Sequence, residues 1–279
     1  MPEDERLRHR LGLQVLFDFP EIIEAIDFAS THGFGALEIN LGNIRFAEQL
    51  RRVGERCRIR RRAARVGLRL AIHALEGPSF FIPSERVRRC AVAELKETLN
   101  RAESIGAENV IMHLGFDMHY GMGSGGNRYT HEEFPRYYEE ALFSALSELK
   151  DFARGRARLC VENVGGFRFQ PAKVVLPRVL GESLGLCFDI GHIALLPEER
   201  HQEELNFFRR FRRYIYHSHL HDNHGVRDEH LPLGAGSNEL LTYFRLLLTT
   251  RALLVLETRP RSAALRARDY FIKVILPGL

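Results

Sequence analysis

Short apolar runs alternate along the whole chain with longer stretches in which apolar residues return every third or fourth position. The runs are LGLQVLF (11–17), GALEI (35–39), LRLAIH (68–73), NVIMHL (109–114), RLCVEN (158–163), GLCFD (185–189), YIYHSH (214–219) and LLVLET (253–258). Each has the length of a strand and is apolar at nearly every position, the mark of a parallel sheet covered on both faces. The stretches between them predict helices near 20–31, 44–66, 84–106, 132–154, 198–212, 237–249 and 261–273, with a shorter one over 171–181. Gly33, Gly67, Gly106 and Gly155 each follow a helical pattern and precede a strand, where a left-handed C-terminal cap belongs. Ser84 is placed to cap the helix after it. Thr130 precedes His131, Glu132 and Glu133, and the two acids suit the positive end of a helix dipole.

Eight strand–helix units in about 250 residues predict a (β/α)8 TIM barrel. An open doubly wound sheet is the competing arrangement. It is weakened by LFDFPEI after the first strand, where a dinucleotide fold would carry G-x-G-x-x-G. No linker-like stretch divides the chain, so residues 1–279 read as a single domain.

Composition narrows the partners. With 45% hydrophobic and 27% charged residues the chain suits a folded core. Lys and Arg number 40 against 36 Asp and Glu, a formal +4, which is too mild an excess to argue for nucleic acid. The four cysteines have no C-x-x-C spacing, and Cys160 and Cys187 lie in apolar runs, so reduced, buried thiols are expected there. MPEDERLRHR does not resemble a signal peptide and no stretch has the length of a membrane span. A cytoplasmic location without a membrane partner is expected.

A barrel of this kind carries its chemistry at the C-terminal ends of its strands. There the sequence places His73, His113, Glu162, Asp189 with His192 three residues on, His219 with Asp228 and His230 in its loop, and Glu257. Imidazoles and carboxylates without thiolate suit zinc, manganese, iron(II) or cobalt. Clustered buried carboxylates repel one another and are costly to desolvate unless cations neutralise them. A lone histidine at a strand end is ordinarily just hydrogen-bonded; it is the joint placement on one rim that points to metal.

Other features are less specific. His217 and His219 alternate with Ser218 and share a strand face, and the same alternation turns His221 inward. His221, Asp222 and His224 read as hydrogen-bonding partners of the ligands, as substrate contacts or as solvated loop residues. The very basic stretch 51–67 reads as the solvated face of an outer helix. The glycine-rich loop 115–133 reads as a lid over a small ligand, or as an arm carrying Tyr120, Arg128 and Tyr129 toward a larger one. Gly234-Ala235-Gly236 stands where many barrels bind phosphate, a weak signal because glycines there can simply make a turn.

The motifs IHALEG (72–77), LKETLNRAESIGAENVIMHLG (95–115), VENVGG (161–166), CFDIGH (187–192), SHLHDNHG (218–225) and DEHLPLGAG (228–236) resemble the xylose isomerase-like superfamily of TIM barrels, over nearly the whole chain. The resemblance implies two functions. In the sugar isomerase and epimerase branch, Glu162, Asp189, His219 and Glu257 would hold one divalent ion, often manganese, with His192 near the substrate. Glu162 and Glu257 would then act as acid and base through a metal-stabilised enediolate of a sugar or sugar phosphate. In the endonuclease IV branch, His73 and His113 would hold a first zinc, bridged by Glu162 to a second on Asp189, His219 and Glu257, with His192, Asp228 and His230 on a third. That set would hydrolyse a phosphodiester in abasic DNA. GALEINLG and HLHDNHG resemble the isomerase branch more closely, so a metal-dependent isomerase or epimerase carrying one to three zinc or manganese ions is the leading expectation. The endonuclease is the second, and a non-catalytic metal- or sugar-binding barrel the third.

Overall fold

The structure is a computed structural model that describes residue 7 and residues 9–279. Its strands are β1 (Leu11–Val15), β2 (Ala36–Asn40), β3 (Arg69–His73), β4 (Asn109–Met112), β5 (His119–Gly121), β6 (Asn127–Tyr129), β7 (Arg158–Glu162), β8 (Leu184–Asp189), β9 (Ile215–Leu220) and β10 (Leu253–Leu256). β5 and β6 form a separate antiparallel hairpin. The other eight close in the order β1-β2-β3-β4-β7-β8-β9-β10 and back to β1, every pair parallel. This is the predicted TIM barrel.

Two layers of core follow from strand alternation. Ala36, Ala71, Ile111, Cys160, Cys187, Leu253 and Val255 form their own buried cluster, while the alternate strand residues join a larger core with the helices. Successive side chains leave opposite faces of a strand, so the small cluster is the barrel's interior. The outer residues meet helices such as Ile22–Thr31 and Glu85–Ile105, which bury Ile22, Ile26, Leu95 and Leu99. The basic stretch forms an outer helix, Val53–Val66, in which only Ile59 and Ala63 are buried. Among the described residues no helix is long and apolar enough to cross a membrane.

Gly33, Gly67, Gly106 and Gly155 all adopt positive φ, between 69° and 78°, as the capping positions require. Other expectations change. The helix expected over 44–66 is two, Ile44–Arg51 and Val53–Val66, parted by Arg52 in an extended conformation. The one expected over 132–154 is interrupted at Phe134 and resumes as Pro135–Ala153. Proline disfavours helical backbone in the residue before it and suits the first turn of the helix it begins. Ser84 stands at the N-cap but its side chain makes no capping bond.

The loop 115–133 carries the β5–β6 hairpin. Its base is fastened by the buried Asp117 carboxylate, which accepts from the His131 backbone N–H at 2.8 Å, lies 2.6 Å from His131 Nδ1, and accepts from Thr130 Oγ1. Beyond that base residues 118–128 are exposed without a break, Tyr120 and Arg128 among them.

Candidate metal centre

One step of two residues along each strand converts the apolar interior into an ionisable one. Ala71 leads to His73, Ile111 to His113, Cys160 to Glu162, Cys187 to Asp189 and Val255 to Glu257, each pair on one strand face. Ala36 leads in the same way to Glu38, and His217 to His219. The parallel register then sets these polar residues side by side, with Asp189 opposite His219.

The nine expected side chains converge around Glu162. Its Oε2 lies 3.3 Å from His73 Nε2, 3.1 Å from His113 Nε2 and 3.4 Å from His219 Nδ1, and its Oε1 lies 3.4 Å from His192 Nδ1. His219 Nδ1 is also 3.0 Å from Glu257 Oε2 and 3.7 Å from Asp189 Oδ2. Asp228 Oδ2 sits 3.2 Å from both His192 Nε2 and His230 Nε2. His230 reaches it with φ at 48°, the one positive φ outside glycine among the described residues, and its Nδ1 is 3.0 Å from the Glu257 carbonyl. A backbone held in that sparse region is strain that functional sites commonly retain.

Three residues belong to the site that the strand-end pattern did not assign. Glu38 is fully buried and lies against His217 and His219. His217 has therefore an inward role beneath His219. His221, also fully buried, points Nε2 at Asp189 Oδ1, 3.0 Å away, and toward Asp228 Oδ1 at 3.7 Å. His224, by contrast, is exposed and pairs with Glu229. Glu38 was findable: it is the lone acid in an apolar strand and shares the inward parity of the strand-end candidates.

Electrostatics hold the cluster ionised. Burial alone would raise the carboxyl groups of Glu38, Glu162 and Glu257, but facing imidazoles overcome it and keep each well below the ordinary carboxylate range. Those imidazoles are His219 and His217 for Glu38, His113 and His219 for Glu162, and His219 and His230 for Glu257. Burial likewise disfavours charged His73 and His192, yet Glu162 lifts His73 to about 9, and Asp189 with Asp228 lifts His192 to about 10. At His217 burial prevails and lowers the pKa.

The donor set fits divalent metal. The Nδ1 atoms of His219 and His192 are buried and lack a hydrogen-bond partner among the described residues, although carboxylate oxygens surround them. Ligand atoms of Glu162, Asp189, His219 and Glu257 lie within 4.8 Å of one another, as do those of His73, Glu162 and His219, and those of His221, Asp228 and His230. Nitrogen and carboxylate donors at such spacing suit zinc or manganese, whose charge would relieve the repulsion among three neighbouring carboxylates.

The glycine loop after β9 is already engaged. The Asp222 carboxylate accepts from the backbone N–H groups of Asn223, Gly234, Gly236 and Asn238 at 2.9–3.2 Å. A Cβ on Gly236 would stand 2.5 Å from that carboxylate, so the close wrap requires glycine. Of the two readings of Gly234-Ala235-Gly236 the structure favours the turn: the Gly234 and Gly236 amides bind the Asp222 carboxylate and the Ala235 amide the Pro232 carbonyl, which pins the segment carrying Asp228 and His230. Asp222→Ala should orphan the four amides and cost roughly 3 kcal/mol of stability. Urea unfolding measures this, and a change below about 0.5 kcal/mol would contradict it.

A closed parallel barrel with an ionisable C-terminal mouth defines the class, a TIM barrel with one face rich in potential metal ligands. The sequence profile of the xylose isomerase-like TIM barrel matches residues 26–273, and the chain belongs to that family. Solved structures of the same shape include a D-tagatose 3-epimerase-like protein (20% identity, TM-score 0.73, covering 96% of this chain and 98% of that one). Also similar is the TTHB071 protein of Thermus thermophilus, soaked with zinc chloride (25% identity, TM-score 0.68, 93% and 96%). Endonuclease IV of the same organism is a third (22% identity, TM-score 0.66, 96% and 99%). Two uncharacterised proteins of Methanocaldococcus jannaschii match at 29% and 26% identity over 55% and 64% of this chain. The aligned part spans 51% and 65% of those relatives' length.

Proposed function

We propose that the protein is a cytoplasmic, single-domain isomerase or epimerase of a sugar or sugar phosphate that depends on a divalent metal. The observation that carries this reading is the approach of two buried carboxylates to one ring nitrogen. Glu162 and Glu257 stand 3.4 Å and 3.0 Å from His219 Nδ1, at the end of β7 and just past β10, with β8 and β9 between those strands. Glu162, Asp189, His219 and Glu257 would hold a divalent ion, which would supply Lewis-acid polarisation of a bound carbonyl. Glu162 or Glu257 takes the proton from the carbon beside that carbonyl, and the other returns it. Return to the opposite face epimerises the carbon; return to the former carbonyl carbon, with the hydroxyl proton passing between the two oxygens, isomerises the sugar. His192, 3.4 Å from Glu162, would contact the substrate hydroxyls.

A second reading, an endonuclease IV-like phosphodiester hydrolase acting on abasic DNA, is favoured by the donors beyond those four. His73 and His113 flank Glu162, and His192 and His230 flank the partly exposed Asp228, so up to three ions have ligands. Metal analysis of protein purified without added metal, with assays on ketoses, aldoses and an abasic duplex, separates the two. One manganese or cobalt per chain with sugar turnover supports the leading reading. About three zinc ions with strand cleavage supports the second. Metal uptake with neither activity would leave a binding barrel.

The double variant Asp228→Ala/His230→Ala sharpens this. The isomerase reading expects sugar turnover to stay within about tenfold of the parent, whereas the hydrolase reading expects cleavage to fall by at least about 10³-fold.

A further inference from the structure

We propose that Glu38 is a positioning residue: it commits the Nε2 proton of His219 and so leaves Nδ1 as the nitrogen offered to a cation. This deepens the reading of His219 as a metal ligand and rests on it. The direction of every hydrogen bond around Glu38 can be traced from groups whose chemistry is fixed. A guanidinium only donates. Arg259 Nη1 donates to Gln14 Oε1 at 2.6 Å, so the Gln14 amide turns its NH2 to Glu38 Oε1, 2.8 Å away.

From the other side, Asn109 Nδ2 donates to the Tyr216 carbonyl at 3.0 Å and lies 3.3 Å from His217 Nδ1. His217 Nδ1 is then the acceptor, and Nε2, 2.7 Å from Glu38 Oε2, carries the proton. His219 Nε2 sits 3.1 Å and 3.2 Å from the two Glu38 oxygens. An ionised carboxylate only accepts, so this nitrogen is protonated too. Glu38, with no exposed surface, thus receives donors from Gln14 and His219, while His217 Nε2 stands 2.7 Å from Oε2 without the alignment of a hydrogen bond. The remaining nitrogen of His219 faces Glu257, Glu162 and Asp189 at 3.0, 3.4 and 3.7 Å. A carboxylate behind a ligating imidazole fixes its tautomer and ring orientation, and losing such a partner weakens metal binding by about 10–100-fold.

The test uses 15N-histidine-labelled full chain loaded with zinc, read by ring-nitrogen NMR, together with zinc affinity by competition against a chromophoric chelator. In Glu38→Leu the hydrogen-bonded Nε2 proton of His219 should lose its downfield shift, and zinc affinity should fall by about 10–100-fold. In the isosteric Glu38→Gln the amide oxygen can still serve Gln14 and His219 while the NH2 faces His217. There the His217 tautomer should invert, the His219 tautomer should hold, and affinity should stay within about tenfold of the parent. That second pattern decides the matter even where Glu38→Leu does not fold.

Unchanged His219 signals and zinc affinity in Glu38→Leu, or an unchanged His217 tautomer in Glu38→Gln, would overturn the proposal. So would the loss of one zinc per chain with the remaining affinity unaltered, since Glu38, His217 and His219 would then be ligands themselves. A parent protein that takes up no zinc, manganese or cobalt refutes the metal reading instead, and the ring spectra of the metal-free chain still decide the role of Glu38.

Discussion

Glu162→Gln should lower turnover by about 10²–10⁴-fold, even in excess divalent metal, and should reduce the metal retained after dialysis. The substitution keeps the shape of the side chain and removes one negative charge from the centre of the cluster. His73, His113, His192 and His219 all face that carboxylate, at 3.1–3.4 Å. Without it, charged His73 loses its main stabilising partner, and a group that could take up a substrate proton becomes an amide that cannot. Excess metal separates these losses, because it can refill a weakened site but cannot restore a base. Parental turnover of Glu162→Gln at saturating manganese would remove Glu162 from the chemistry. Glu257→Gln, at the other carboxylate beside His219 Nδ1, should give a loss of the same order and the same insensitivity to added metal.

The second large effect is on stability. The metal-free protein should become less stable as pH rises from about 6.5 to 10. The folded-state pKa values of His73, about 9, and His192, about 10, both stand above the ordinary histidine value. A raised folded pKa contributes stability that is fully present below the unfolded value and is lost as pH climbs through the folded one. At about 1.4 kcal/mol per pKa unit, His73 alone accounts for about 3 kcal/mol. The carboxylates act in the other direction: Glu38, Glu162 and Glu257, all lowered, contribute stability above the ordinary carboxylate range that acid removes. Stability without metal should therefore peak between about pH 5 and 7. Urea midpoints in chelator at pH 6.5 and 9.5 measure the effect, and saturating zinc, which binds neutral imidazole, should flatten it. A midpoint that rises toward pH 9.5 in chelator would show that the imidazoles are not held charged by their neighbours.

The strands were legible because the barrel is wrapped by helices, which makes LRLAIH and LLVLET apolar on both faces. Six of the nine candidate ligands stand out for a related reason, since each closes an apolar run at the end where a barrel displays its chemistry, while His192, Asp228 and His230 lie in the loops that follow. Glu38 escaped that criterion: it lies inside GALEI rather than at its end, and its meaning comes from His219, 181 residues away in the chain. His217 and His221 needed the β8–β9 register before their partners were defined. The hairpin at 119–129 escaped because its strands are three residues each and exposed, so no core imposes a period on them. The break at Arg52 has only weak punctuation, with Gly54 two residues on, whereas the one at Phe134 is signalled by the proline that follows.

The Asp222 carboxylate has a bearing on what the barrel can select. It fills a cradle of four amides in the loop after β9, where barrels often hold a phosphate. A phosphorylated sugar seeking that corner would compete with an anion tethered to the same chain, at the high effective concentration that tethering confers. The incoming group would have to displace a competitor that cannot diffuse away, and the loop carrying Asp228 and His230 would lose its fastening in the exchange. Under the proposed sugar reading, any phosphate on the substrate would therefore be expected at another part of the rim.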